Sequence, residues 1–143
     1  MTKCELIMIA LKELLGVGLA AKIERNTALP EKIPAGGLIV LRDGNPGDPE
    51  QALGGFGGVY YSQDVEIEVY VEDGDAATRD TAFDTLLQQI GSVLDADPTL
   101  GGLAFGMTYG RPEVHTEAVA GAPAIKAGTI TVTIEFETDS PLG

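Results

Sequence analysis

Residues 60–72 read Tyr-Tyr-Ser-Gln-Asp-Val-Glu-Ile-Glu-Val-Tyr-Val-Glu. Val65, Ile67, Val69 and Val71 alternate with Asp64, Glu66, Glu68, Tyr70 and Glu72. A two-residue period puts the first set on one side of an extended chain and the second on the other. One apolar and one acidic side predict a long strand with a buried face and a solvent face. The same period returns near the C-terminal end, where Ile130, Val132, Ile134 and Phe136 alternate with Thr129, Thr131, Thr133, Glu135 and Glu137.

Near the start of the chain, Ile7, Leu11, Leu14, Leu15 and Gly18 recur at three- and four-residue spacing. That spacing predicts an amphipathic helix over about Cys4–Ala21, weakened in its last turn by Gly16 and Gly18. Pro30 and Pro34 hold residues 26–35 in extended or turn conformations. Leu38-Ile39-Val40-Leu41 is apolar without alternation, as expected of a short strand covered on both faces. Asp75 suits an N-cap, and Phe83, Leu86, Leu87, Ile90 and Leu94 form the stripe of a second helix that ends at Asp97-Pro98. Leu103, Phe105 and Met107 alternate in a short third strand, and Pro112–Gly128 reads as irregular. The expected fold is α+β: two helices on one face of a four-stranded, mostly antiparallel sheet, in the order α-β-β-α-β-β.

The chain of 143 residues and 14.9 kDa is the size of one domain, and residues 1–143 are read as such. Its apolar fraction of 44% and mean hydropathy of +0.12 are enough for a packed core. Residues 43–58, rich in Gly, Pro, Asn and Asp, read as a long flexible loop. A net charge of −13 argues against nucleic acid, and against an anionic membrane, as a broad partner. The charge is uneven. Residues 1–42 hold six cations against four carboxylates, whereas residues 43–143 hold three against eighteen. If the fold segregates these segments, the molecule is suited to stacking on itself or to docking its faces on different partners; the other reading is that the acids keep the protein soluble.

Chemistry-bearing patterns are sparse. The lone Cys4 excludes an intrachain disulfide and a four-cysteine zinc site, and it reads as a small apolar helix residue in a reducing cytoplasm. The one histidine, His115, reads as a surface loop residue, with a catalytic or pH-sensing role as the lesser alternative. Gly16-Val17-Gly18-Leu19-Ala20-Ala21 ends a helix where a dinucleotide-binding turn opens one. Asp43-Gly44-Asn45-Pro46-Gly47-Asp48 has an acid where a calcium loop needs its glycine, and reads as a turn. Glu66, Glu68 and Glu72 read as a solvated face or one turned to a basic neighbour. No nucleophile comes with an orienting base. The expectation is a binding or assembly protein with no enzymatic activity, no catalytic residues, no cofactor and no metal.

Glu24-Arg25-Asn26, Leu29-Pro30 and Pro34-Ala35-Gly36-Gly37-Leu38-Ile39-Val40-Leu41-Arg42-Asp43-Gly44, followed by the acidic strand and second helix, resemble small bacteriophage and prophage tail proteins. The family resembled is that of minor tail protein U, the tail terminators. The likeness covers most of the chain in length and element order, while its specific wording lies in residues 24–50. It implies a ring, typically a hexamer, that caps the tail tube and offers the surface on which the head joins. It also implies a tail tube protein and a head-completion or connector protein as partners, and a life in the host cytoplasm before the virion tail. Under this resemblance Arg25 and Arg42, cations flanking the loop, with Asp43, Asp48 and Phe56 inside it, are the candidate contact residues. The alternative for the arginines is pairing with nearby acids, and for Phe56 covering a core edge. The other readings are a head–tail connector or tail-completion protein, and then a small cytoplasmic enzyme or ligand-binding domain with the loop as a lid.

Overall fold

The computed structural model describes residues 1–30, 32–44, 47, 50–51, 58–117 and 124–143. In chain order the elements are α1 (Lys3–Gly18), β1 (Lys22–Arg25), β2 (Leu38–Arg42), β3 (Glu50–Gln51), β4 (Val59–Glu72), α2 (Ala76–Ala96), β5 (Gly106–Tyr109), β6 (Glu113–Glu117) and β7 (Ile125–Thr138).

The two alternating stretches form β4 and β7, which pair antiparallel from Val59 opposite Thr138 to Glu72 opposite Ile125. Directly opposed residues share a face. Val65, Ile67 and Val69 therefore line up with Val132, Ile130 and Gly128 on the inner side, while Asp64, Glu66 and Glu68 line up with Thr133, Thr131 and Thr129 on the outer side. Val65, Ile67, Val132 and Ile134 are fully buried.

Both helices cover the inner face. Ile7, Leu11 and Leu15 of α1 and Phe83, Leu86, Ile90 and Leu94 of α2 join Ile39, Leu41, Ile67 and Val132 in one core. Thr2 caps α1 by accepting from the Glu5 amide at 3.2 Å, and Asp75 caps α2 by accepting from the Thr78 amide at 2.9 Å. Gly128 lets α2 lie close, since a Cβ there would stand 2.8 Å from the Phe83 ring.

The sheet runs β1-β2-β4-β7-β5, with β3 also on β4 and β6 also on β7, so it has seven strands where the sequence predicts four. The broad α+β class holds, but the strand count and element order differ. The additions are β1, β3 and β6, each five residues or shorter. β6 lies inside the stretch read as irregular, and it places His115 on a strand. β1 runs parallel to β2 because the chain returns through Gly36 and Gly37, at φ of +89° and +93°, so that the Lys22 amide meets the Gly37 carbonyl. The third strand begins at Gly106, leaving Phe105 outside it and 60% exposed.

β2 is buried on both faces, as its unbroken apolar run predicts. Leu38 and Val40 meet Ile33, Tyr70 and Ile125 in a small outer-face cluster, pinned where the Ile33 amide donates to Glu72 at 3.0 Å. Most of the predicted loop at 43–58 lies outside the described residues.

Ile67 sits at the centre of the β4–β7 pairing with helices packed above it. Ile67→Ala is expected to lower stability by about 2–5 kcal/mol with an unchanged urea m-value. The urea midpoint measured by circular dichroism checks this.

Candidate assembly interface

Arg25 ends β1 on the inner side, where it reaches two carboxylates from different elements. Nη1 and Nη2 lie 2.7 and 2.8 Å from the Glu5 carboxylate on α1, and Nε and Nη2 lie 2.8 and 2.6 Å from the Asp43 carboxylate just after β2. The side chain is 18% exposed. Two forked pairs on one planar guanidinium fix geometry better than single-point contacts do. Asn26 completes the junction: its amide donates to Leu41, and its side-chain oxygen accepts from the Asp43 amide at 3.1 Å. Arg25 is thus the rivet joining α1, β1 and the end of β2.

Arg42 points to the outer face. Its Nε donates to Glu68 at 3.2 Å, and Glu68 also accepts from the Tyr70 hydroxyl at 2.8 Å. Arg42 borders a depression of about 650 Å³ with Asp64, Glu66 and Thr131. Of the five candidate contact residues, the structure joins Arg25 and Asp43 in one cluster and sets Arg42 against Glu68 on the other side of the sheet. Asp48 and Phe56 lie outside the described residues. Pairing with nearby acids, the alternative for both arginines, is what the structure displays.

Two further surface features lie at the edges of the sheet. Between α1 and β1 runs a groove of about 570 Å³, with Ile9, Gly16, Ala21 and Ile23 as its apolar wall and Lys12, Glu13 and Arg25 as its charged one. At the opposite edge of the sheet Tyr109 and Val114 are 40% and 47% exposed. Neither is legible in the sequence, where the signals are a four-residue strand and one valine among polar neighbours.

Among the described residues, no group of three or more His, Cys, Asp or Glu is placed to hold a metal ion. Burial raises the Cys4 thiol above its ordinary value, which keeps it protonated. Among the described residues no helix is long and apolar enough to cross a membrane.

No family model matches the sequence, and no curated protein does. Among solved structures, a chain from the virion of a native gene transfer agent particle is similar over 90% of this chain and 84% of its own, at 16% identity and a TM-score of 0.40.

The Arg25 guanidinium holds the Glu5 and Asp43 carboxyls below their ordinary values, chiefly by hydrogen bonding. Depressed folded-state values mean that the stabilisation is present at neutral pH and is lost as pH falls through them. Arg25→Met is therefore expected to destabilise the protein at pH 7. The gap to the wild type should narrow once the pH is below about 4. Urea unfolding of both proteins at neutral and acid pH reads this directly.

Proposed function

We propose that the protein is a structural component of a phage or prophage tail, a tail terminator that caps the tail tube as a ring and presents the head-joining surface. The observation that carries the reading is the shape of the sheet. One face is roofed by both helices, the other is largely bare and bears Asp64, Glu66 and Glu135, and both lateral edges are open among the described residues. A plate with two unlike edges suits head-to-tail contacts that close into a ring, its two faces turned to the inside and the outside and its strand ends, where Arg42 closes β2, turned to the tube and the head. The wording of residues 24–50 supports the same reading, since its residues build the Arg25 rivet and β2.

On this reading the partners are further copies of the chain, the tail tube protein and a head-completion or connector protein. Nucleic acid sequence, membrane, cofactor and catalysis play no part. The protein works in the host cytoplasm during assembly and then in the virion tail. The runner-up is a head–tail connector or tail-completion protein, and a small enzyme or ligand-binding domain ranks third.

Size exclusion with light scattering is expected to reveal a species of about 89 kDa at high protein concentration, six copies of the 14.9 kDa chain. A strict monomer, alone and in the presence of tail tubes, would set the ring aside. Arg42→Glu places a carboxylate against Glu68 on the outer face. It is expected to weaken docking to the tube or connector while leaving the circular dichroism spectrum unchanged, and undiminished docking removes Arg42 from the interface.

A further inference from the structure

The pairings can be followed across the whole sheet. Ile23 of β1 is level with Ile39, Val69 and Gly128, and at the far edge with Val114 of β6. The rows on either side run from Lys22 to His115 and from Glu24 to Glu113. The two open edges therefore stand at the same height along the strands. Their directions are also set: β1 is parallel to β2, and each later step through β4, β7 and β6 is antiparallel, so β1 and β6 run opposite ways. A rotation about an axis along the strands, as in a ring, brings β6 of one copy antiparallel to β1 of the next.

The edges fit each other in three respects. Lys22 and Asn26 donate inward, to Gly37 and Leu41, so the intervening Ile23 and Arg25 turn their main-chain groups outward. Val114 shares the inner face with Ile23, and an incoming β6 carries it to the apolar wall of the α1–β1 groove. The two edges also differ in charge balance. Residues 3–25, α1 with β1, hold four cations against three carboxylates, while residues 75–97 of the α2 region hold five carboxylates against one arginine. In the ring α1 of one copy neighbours α2 of the next. Glu24 and Glu113 come level at this junction, and the Lys22 ammonium, 3.0 Å from Glu24, supplies the compensating charge.

We propose that the ring closes through this edge: β6 of one copy pairs antiparallel with β1 of the next, and Val114 seats beside Ile23 in the α1–β1 groove. The inference rests on the ring reading and names its junction.

The test places cysteines at the two positions in a Cys4→Ser background and adds a short bis-maleimide. Ile23→Cys with Val114→Cys in one chain is expected to give a covalent ladder on a denaturing gel, whereas each single variant stays monomeric there. Oligomers seen by light scattering without a ladder overturn the junction and leave the ring standing. A dimer from Ile23→Cys alone overturns it in favour of symmetric β1–β1 pairing. A wild-type protein that is monomeric throughout, with and without tubes, removes the ring and the junction together. A second pair guards against misfolding of the cysteine variants. Lys22→Glu is expected to weaken association by about five- to tenfold, and added Glu113→Lys to restore it. Additive losses in the double variant overturn the proximity of these two residues.

Discussion

Fourteen consecutive residue pairs join β4 to β7, and the rest of the molecule is placed by that ladder. A period of two leaves no freedom of register, because a slip by one residue would carry every valine and isoleucine of a strand to the acidic side. Once the ladder is set, its inner face must be roofed, and the stripes of α1 and α2 do this. Its flanks are then extended by β2 and β3 on the β4 side and by β5 and β6 on the β7 side. The outer face stays wet at Asp64, Glu66, Thr131 and Glu135, and Ile33 closes over it at Leu38 and Val40.

Electrostatics is arranged to different ends on the two sides of the sheet. On the inner side Arg25 is spent on internal architecture, tying a helix to two strands through a pair of carboxylate forks. On the outer side Arg42 is a single cation amid Asp64, Glu66 and Glu68. The two arginines look equivalent in the sequence, separated only by strand parity, and their environments differ accordingly. A guanidinium with four donors engaged at 2.6–2.8 Å holds the fold, whereas Arg42 makes, among the described residues, one bond at 3.2 Å.

Much of the fold was legible because it is written in period. The two long strands, the doubly buried β2, the Asp75 cap and both helical stripes follow from the spacing of apolar residues. Three strands were not legible, for physical reasons. β1 and β3 are four and two residues long, and β6 carries one apolar side chain among polar ones, so none has a pattern to read. These strands exist because longer neighbours offer them unpaired backbone. The Arg25 cluster was half legible: Arg25 and Asp43 stood out as charges flanking a turn-rich segment. Glu5 did not, because its membership depends on where α1 lies over β1. The edge groove was invisible for the same reason, since it exists only between two elements.

The ladder also bears on how the chain reaches this structure. Glu72 and Ile125, its nearest partners in sequence, are separated by 53 positions, and Val59 and Thr138 by 79. Closing such spans costs chain entropy before any contact repays it, so folding belongs to the slow regime of roughly milliseconds to seconds. Through that interval α1, the β1–β2 return and α2 are the segments able to form locally. Half-built chains meanwhile expose apolar strand faces. The edges they present at β1 and β6 are short, and Lys22, Glu24 and Glu113 punctuate them with charge. Brevity and charge at the rims make either strand alone a poor template for other chains until the central ladder has closed and the α1–β1 groove exists beside β1.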